Sequence, residues 1–341
     1  MNARQRFHAA LNFQPFDRLP MIEWATWWNL TINRWHSEGM PAEVRTDEEV
    51  MRYFDLDVMR QDWIRIRKRT CPVEPSHGAG IIATAEDYER IREHLYPVPA
   101  VDKERWRRWA ADREKGDIVL WFTLDGFFWF PRILLGIERH LYAFYDNAEL
   151  MHRINTDLLN WQLQVIDELS SICIPDFMTF AEDMSYNHGP MLSKKLFDEF
   201  MLPYYRQVVP RLKELGVTTI IDSDGDVTRP AYWFEEAGLD GILPLERQAG
   251  VDMARLRAEH PRMRFIGHYD KMVMNQGEAA MRGEFERLLP IAAQGGFLIS
   301  VDHQTPPGVS IDDYRIYLRL FREYAERAGE LSQTLLARSA A

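Results

Sequence analysis

The sequence predicts a single α/β domain over residues 1–341, a (β/α)8 TIM barrel with an insertion after its second strand. Two observations predict this class. Short apolar runs alternate with longer amphipathic stretches along the chain, a pattern typical of parallel βαβ units. The chain has 341 residues with 46% hydrophobic content, which gives room for about eight such units and favours a closed barrel over an open sheet.

The predicted strands are short runs rich in apolar and β-branched residues. They cover residues 19–23, 56–59, 118–123, 177–180, 217–221, 241–245, 264–266 and 297–301. The stretch from about residue 60 to 115 fits this alternation poorly and is interpreted as the insertion. Within it, WIRIRKR (63–69) predicts one more strand or a hairpin arm, and residues 106–114 predict a charged surface helix.

Helices are predicted where apolar positions recur at a helical spacing between capping residues. Asn147 and Ser193 are the expected N-caps of two of them, and Gly216 and Gly238 follow the ends of two. The predicted helices cover residues 147–169, 193–215, 226–237, 252–259, 278–293 and 311–327.

Composition excludes several classes of function. A net charge of −11 argues against a duplex nucleic-acid partner, which requires a basic face. The sequence shows neither a signal peptide nor an apolar run of about 18 residues, so no membrane span is expected. Its two cysteines, Cys71 and Cys173, stand in no disulfide or zinc-ribbon spacing. We therefore expect free thiols and a cytoplasmic protein.

Carboxylates follow seven of the eight predicted strands. Because the carboxyl ends of parallel strands converge on one face of a barrel, these residues predict an acidic site there. For any single residue the alternative is an N-cap of the next helix, although glutamates such as Glu182 and Glu246 are poor caps. The residues are Glu23, Asp125, Glu182, Asp183, Asp222, Asp224, Glu246, Asp270 and Asp302.

The segment IIDSDGDV (220–227) superficially matches a calcium loop. An EF-hand loop needs Gly at its sixth position and Glu at its twelfth. Val227 and Trp233 stand at those positions, so that interpretation fails. Phosphate-binding glycine motifs and Ser or Cys nucleophile motifs are also absent from the sequence.

Several segments resemble the uroporphyrinogen decarboxylase superfamily over nearly the whole chain. They are RFHAALNFQPFDRLP, GPMLSKKLFDEFMLPYYRQVVPRLKELGV, EEAGLDGILPLE and GGFLISVDHQTPPGVSIDDYR. The superfamily contains the decarboxylase and zinc-dependent methyltransferases that pass methyl groups to or from corrinoid proteins or thiols. The resemblance implies a (β/α)8 barrel with its site at the carboxyl ends of the strands.

The chain departs from both branches of that superfamily. Where the decarboxylase has an Arg-Gln-Ala-Gly-Arg motif, this sequence has EWATWWNLTINRW (23–35), and an acidic mouth would repel a porphyrinogen rich in carboxylates. The methyltransferase His-x-Cys-Gly motif falls on residues 222–225, with Asp222 and Asp224 at the ligand positions. The later zinc-binding Cys falls on His303, so no thiolate ligand remains.

Three sets of site residues are predicted from these positions. Two carboxylates and an imidazole suit Mg²⁺, Mn²⁺, Zn²⁺ or Fe²⁺, and direct binding of a hydroxyl or amine stays open as the alternative. For His268 and Asp270, a rim or helix-entry role is favoured over catalysis. The catalytic set is His303, Glu182, Asp183 and Tyr186, the substrate-binding set is Glu23, Trp24, Trp28, Asp125, His188 and His268, and the metal set is Asp222, Asp224, Glu246 and His303.

The preferred function is methyl transfer or demethylation of a small polar or methylated substrate in an acidic, Trp-lined pocket. His303 or Glu182 would supply the proton that the leaving group needs. A corrinoid protein is the expected partner, and a homodimer is left open. The alternatives are a cofactor-independent decarboxylase, a metal-dependent lyase and a non-catalytic barrel that binds a small molecule.

Overall fold

Seven parallel strands form the central sheet of the computed structural model, which describes residues 1–339 and the side chains of residues 1–335. A separate antiparallel hairpin, β4 and β5, follows β3. In chain order the strands are β1 Val58–Trp63, β2 Ile118–Asp125, β3 Phe177–Ala181, β4 Ser185–Tyr186, β5 Gly189–Pro190, β6 Thr218–Asp222, β7 Gly241–Leu243, β8 Arg264–Tyr269 and β9 Phe297–Val301. The sheet order is β1-β2-β3-β6-β7-β8-β9.

Fourteen α-helices surround this sheet within residues 1–339, and short 3₁₀ helices occupy Arg92–His94 and Lys271–Val273. The α-helices are α1 Ala3–Leu11, α2 Asn29–Ser37, α3 Asp47–Tyr53, α4 Ala85–Ile91, α5 Lys103–Glu114, α6 Trp129–Leu135, α7 Ile137–Asp146, α8 Ala148–Ser170, α9 Lys194–Phe200, α10 Leu202–Glu214, α11 Pro230–Glu236, α12 Met253–Glu259, α13 Glu278–Ala292 and α14 Ile311–Ser339. In residues 1–339, none of these helices has the length and apolar character to cross a membrane.

The register of the sheet aligns the carboxyl ends of its central strands. Asp125 pairs with Ala181, Ala181 with Asp222, and Asp222 with Leu243. All eight residues of β2 and all five of β3 and of β9 are buried, as expected for parallel strands covered on both faces. The residues that follow these strands therefore emerge together at one edge.

The first predicted strand, residues 19–23, is wrong: this segment forms no ladder with a neighbouring strand in the described chain. It is buried, and it contacts both ends of the sheet. The Asp57 N–H donates to the Met21 carbonyl oxygen, and the Asp57 carboxylate accepts the Met21 N–H at 2.8 Å. At the other edge of the sheet, the Glu23 carboxylate accepts the Val301 N–H of β9. Pro20 has no N–H to donate, so a regular ladder is interrupted here. The parallel sheet is confirmed, with seven strands rather than eight.

The predicted insertion corresponds to a long connection between β1 and β2. Because β1 runs to Trp63, the predicted start near residue 60 lies inside a strand. The rest of WIRIRKR forms no further strand and makes one isolated antiparallel bridge, from Arg67 to Leu95. The predicted helix at 106–114 lies within α5.

The later predicted helices are found with shifted bounds. Asn147 precedes α8 but makes no side-chain capping bond. The predicted helix at 193–215 is two helices, because the chain leaves the helical conformation at Met201 and α10 begins at Leu202, with Pro203 in its first turn. Ser193 does cap α9, through the Leu196 N–H. The helix predicted from residue 226 begins only at Pro230.

Candidate active site

Five carboxylates lie together where β3, β6, β7 and β9 end: Asp183, Asp222, Asp224, Glu246 and Asp302, here called the acid cluster. Short contacts link them. The Asp183 carboxylate accepts the Asp224 N–H at 3.3 Å, and the Glu246 carboxylate accepts the Gly225 N–H at 2.9 Å. Two basic side chains, Lys271 and His303, face this cluster. The sequence prediction that strand ends bring acids together is therefore supported by geometry.

Asp222 is the residue of the cluster with the least support from donors. Among the residues whose side chains are described, none donates a hydrogen bond to its carboxyl group, whereas its backbone oxygen accepts the Glu182 N–H at 2.8 Å. Burial, followed by the charges of Asp183 and Asp224, raises the pKa of Asp222 well above its usual range. Burial is also the main cause of the raised pKa of Asp183.

Asp224 and His303 form the pair most suited to proton transfer. The His303 Nε2 lies 3.8 Å from the Asp224 Oδ2. Burial, Asp183 and Glu246 raise the pKa of Asp224 to about 7. Burial and then Lys271 lower the pKa of His303, so its ring is mainly neutral at neutral pH. The Trp24 ring meets the His303 ring edge-on, with centroids 6.2 Å apart.

Lys271 is a site residue that sequence reasoning missed. Its Nζ lies 3.7 Å from the Glu246 carboxylate and 3.6 Å from the Asp302 carboxylate. The fully buried Asp302 carboxylate also accepts the backbone N–H groups of Arg247 at 3.0 Å and Lys271 at 3.3 Å. The available signal was its position directly after Asp270, two residues beyond β8.

Unusual backbone conformations occur beside these carboxylates. Asp183, Leu245 and His268 have φ values of 38°, 64° and 65°, in the left-handed region that side chains other than glycine rarely adopt. These three lie just beyond or within the ends of β3, β7 and β8. Backbone strain of this kind is concentrated at functional sites.

The hairpin β4–β5 covers the loop after β6. The Tyr186 carbonyl oxygen accepts the Asp226 N–H at 2.9 Å, while the Tyr186 side chain is 49% exposed. The Tyr186 and His188 rings meet edge-on, with centroids 5.7 Å apart, and His188 is exposed. Both predicted residues therefore stand at the rim of the site, where neither touches a carboxylate of the acid cluster.

Glu182, predicted as a catalytic acid, is fully buried and binds the start of α6. Its carboxylate accepts N–H groups from Phe127 at 2.8 Å, Phe128 at 2.8 Å and Trp129 at 3.0 Å, and the Tyr205 hydroxyl also donates to it. Burial raises its pKa to about 7 although these four donors favour the charged form. The geometry favours a positioning role over proton transfer to substrate.

His268, predicted to bind substrate, is also fully buried, and both of its ring nitrogens are engaged. Nδ1 lies 2.7 Å from the Leu245 carbonyl oxygen and donates to it, and Nε2 accepts from Arg287 at 3.1 Å. Burial lowers its pKa to about 4, which keeps the ring neutral. The arrangement favours a structural role. Asp270 caps the following 3₁₀ helix through the Met272 N–H at 2.8 Å.

Glu23 and Trp24 stand where the first predicted strand was expected to end. The Glu23 carboxylate accepts from the Ser300 hydroxyl at 2.9 Å and the Val301 N–H at 3.2 Å, and burial raises its pKa to about 7. Both residues line a cavity of about 290 Å³. Trp28 is 43% exposed and precedes α2, and it is not among the residues that line this cavity.

Asp125 ends β2 beside a second, larger cavity of about 400 Å³. Its carboxylate accepts the Trp63 indole N–H at 3.0 Å, and burial raises its pKa to about 6. This cavity is also lined by a run of arginines that follows β1. Asp125 therefore belongs to a different environment from the acid cluster.

The residues present do not fit a thiolate zinc site. Cys71 lies in the connection after β1, and Cys173 lies in the connection before β3, so neither joins the acid cluster. Within the described residues, no group of three or more His, Cys, Asp and Glu side chains is arranged to hold a metal ion. The predicted ligands Asp224 and His303 are neighbours, but one Glu246 oxygen already accepts the Gly225 N–H.

The fold and the site define a class of protein: an α/β protein with a parallel sheet and a cluster of acids at the carboxyl edge of that sheet. The sequence model of uroporphyrinogen decarboxylase (URO-D) matches residues 136–324, more than half of the chain. The chain belongs to the uroporphyrinogen decarboxylase family. A search of curated proteins finds no match.

Two solved structures are similar to this chain at low sequence identity. A methyltransferase from Methanosarcina mazei is 13% identical with a TM-score of 0.67, over 95% of this chain and 99% of that one. A B12-independent methionine synthase from Shewanella is 14% identical with a TM-score of 0.43, over 70% and 68% of the two chains. The first likeness supports the fold.

Proposed function

We propose that this chain is an enzyme that removes a methyl group from a small polar substrate, an ether or a methylated amine, bound at the acid cluster. The family match supports the fold, and the gathering of acids at the carboxyl edge of the sheet supports the proposed position of the site. The Methanosarcina mazei protein is a methyltransferase, which favours methyl transfer among the activities of this superfamily. A corrinoid protein is the proposed methyl acceptor.

One observation carries this proposal: a partly exposed carboxyl group, whose pKa lies near neutrality, stands beside an imidazole. When the bond from the methyl carbon to oxygen or nitrogen breaks, the departing atom needs a proton. Asp224, with a pKa of about 7, is half protonated at neutral pH, whereas the pKa of His303 is lowered. We therefore assign the proton to Asp224, with His303 at 3.8 Å as its partner.

The other carboxylates suit the polar part of such a substrate. Among the described side chains, Lys271 and His303 face these five acids, and Arg132 adds a positive charge near Asp183. Negative charge remains in excess, and a hydroxylated or ammonium substrate would offset it. The two carboxylate oxygens of Asp222 accept no hydrogen bond from a described side chain. Trp24, beside His303, adds an aromatic face that favours methylated groups.

The test is demethylation of methoxy compounds and methylated amines, with reduced free cobalamin as the methyl acceptor. We expect the substrate to lose its methyl group with the wild type and no turnover with Asp224→Asn, while His303→Gln retains a small residual rate. Decarboxylation of a porphyrinogen by the purified protein, together with no demethylation, would overturn the proposal.

A divalent metal at Asp222, Asp224, Glu246 and His303 stays a prediction. Metal analysis of the protein as purified, followed by chelation and metal return, decides it. One equivalent of metal that is lost together with activity, and that Asp222→Asn no longer retains, would assign the acid cluster to a metal ion. Activity that is unchanged by chelation would assign it to direct substrate contact.

Cofactor-independent decarboxylation is a second candidate. It is favoured by the match to the uroporphyrinogen decarboxylase family and by the arginines beside Asp125. Those arginines could hold a carboxylate, as the decarboxylase requires. The acid cluster at the other side of the mouth opposes a substrate with many carboxylates. Release of carbon dioxide from small carboxylic acids would separate this candidate from methyl transfer.

A further inference from the structure

The segment that follows β1, residues 63–80 and here called the arm, presents its cations on one side. Ile64 and Ile66 are each 2% exposed, whereas Trp63 and Arg65 are exposed and Arg67 is half-buried. Side chains that alternate in this way lie on opposite faces of an extended chain. The isoleucines therefore fix the arm to the core, and the charged residues face outward together.

The arm covers two adjoining cavities, of about 400 Å³ and about 500 Å³, here called the arginine cavity. The two share Arg67, Trp129 and Ile133 as lining residues. Together they provide an apolar wall from α6 and a cationic wall from the arm. The cations that line them are Arg65, Arg67, Lys68, Arg69 and Arg132.

The charge in this cavity is unbalanced. Against its five cations stand two carboxylates, Glu74, which pairs with Arg67 at 2.6 Å, and Asp125, which is bound by Trp63. Arg65 and Arg69 bind no carboxylate among the side chains that the structure describes. A local concentration of positive charge attracts anions here, although the net charge of the chain is −11.

The side chains on the α6 wall of the cavity are also held in fixed positions. The Arg132 guanidinium lies 5.1 Å from the centre of the Trp129 ring, and its Nη1 donates to the Asp183 carbonyl oxygen at 3.0 Å. An arginine whose plane is fixed in this way binds carboxylate and phosphate oxygens well. The indole offers a surface for the apolar part of the same ligand.

Backbone contacts hold the arm in place before any ligand arrives. The Ile81 N–H donates to the Leu134 carbonyl at 2.8 Å, and the Ile137 N–H donates to the Gly78 carbonyl at 3.0 Å. A Cβ on Gly80 would lie 2.2 Å from the Leu135 backbone. The close approach of the two segments keeps the cavity preformed, which lowers the entropic cost of binding.

We propose that the arginine cavity is a binding site for the oxyanion, a carboxylate or a phosphate, of a small molecule with an apolar body. Arg65 and Arg69 provide free guanidinium groups, Arg67 and Arg132 provide oriented ones, and Trp129 packs against the body of the ligand. Anion binding at this site can be measured without turnover, so its test does not depend on the proposed methyl transfer.

Cys71 gives a local readout, because it is a free thiol that lines this cavity, while Cys173 lies elsewhere. The rate at which iodoacetamide alkylates each thiol is measured with increasing inorganic phosphate or benzoate, at constant ionic strength kept with KCl. We expect saturable slowing at Cys71, at least threefold, and none at Cys173. Slowing by phosphate alone identifies a phosphorylated ligand, and slowing by benzoate alone identifies a carboxylate.

The double variant Arg65→Gln, Arg69→Gln should raise the anion concentration needed for that protection at least tenfold. Its unfolding temperature should not change, because neither side chain has a protein partner to lose. Arg262→Gln is the matched control: Arg262 is exposed, precedes β8 at the opposite edge and binds no other described residue. The proposal is overturned if neither anion protects Cys71, or if Arg262→Gln weakens protection as much as the double variant.

Discussion

Arg132 donates a hydrogen bond from Nη1 to the backbone carbonyl oxygen of Asp183, at 3.0 Å, so one guanidinium separates the acid cluster from the arginine cavity. Its charge also lowers the pKa of Asp183, against the larger effect of burial. Two regions of opposite charge thus share a wall at the carboxyl edge of the sheet. A ligand with an anionic end and a polar, methylated end would match both.

Asp222→Asn should stabilise the fold at alkaline pH and abolish activity. The pKa of Asp222 is raised well above 3.8 in the folded state, so the folded protein retains a proton that the unfolded chain has released. Stability is therefore lost as pH rises from about 4 through the folded pKa. We expect the variant to unfold at a higher temperature than the wild type at pH 8, with little difference at pH 4.

Asp117→Asn is the control for this comparison, because Asp117 is exposed and stands before β2, at the opposite edge. It removes the same charge and should change the unfolding temperature equally little at both pH values. A lower unfolding temperature for Asp222→Asn at pH 8 would contradict the prediction and would make Asp222 a structural residue.

Lys271→Met should move the pH profile of kcat. If protonated Asp224 is the acid, kcat falls tenfold per pH unit above about 7, the pKa of Asp224. Lys271 lowers that pKa, so its removal raises the pKa and shifts the alkaline limb to higher pH. Lys195→Met, the removal of an exposed lysine in α9, should leave the profile in place. An unshifted limb in Lys271→Met would exclude Asp224 and His303 alike, since Lys271 also lowers the pKa of His303.

The sequence predicts the sheet and the gathering of acids because both depend on local patterns. Apolar runs such as residues 118–123 form strands wherever they are buried on both faces, and the residue after each strand then lies at the carboxyl edge. Asp222 and Asp224 were located in this way. The prediction of a first strand at residues 19–23 was wrong because Pro20 has no N–H to donate and the Met21 N–H bonds to the Asp57 side chain instead of a neighbouring strand.

Roles within the site could not be read from the sequence, because they depend on which donors surround each group. Glu182 and Asp183 are adjacent in sequence. The Glu182 carboxylate accepts three N–H groups at the start of α6 and the Tyr205 hydroxyl, whereas the Asp183 carboxylate faces Asp224. His268 and His303 differ in the same way, the first being enclosed and the second open to the acid cluster. Lys271 joins the cluster only because the 3₁₀ helix after β8 turns toward Asp302.

Gly126→Ala should destabilise the protein by displacing Glu182. A Cβ at this position would lie 2.1 Å from the Glu182 carboxyl carbon, so the carboxylate must move and the three N–H groups at the start of α6 lose their acceptor. An unsatisfied buried donor costs about 1–3 kcal/mol, so the loss of unfolding free energy should reach roughly 3 kcal/mol. Denaturant unfolding measures it.

Gly283→Ala provides the contrast to that variant. Gly283 lies in α13, and nothing lies within 4 Å of its added Cβ, so alanine should stabilise the helix by about 0.5–1 kcal/mol. Equal and small effects of the two substitutions would show that Glu182 tolerates displacement and is not the residue that positions Trp129 and Arg132.

Gly225→Ala tests whether the hairpin β4–β5 must rest on the loop after β6. An added Cβ would lie 2.6 Å from the Tyr186 backbone nitrogen, and φ is +82°. Gly250→Ala is matched in backbone conformation, with φ of +85°, but has open space for its Cβ. Both variants should lose about 1 kcal/mol from the left-handed conformation. Only Gly225→Ala should lose more than this, because it displaces the hairpin, and only it should lower kcat/KM, because Asp224 lies directly before the displaced position. If the two variants have the same stability and activity, the hairpin does not position the site.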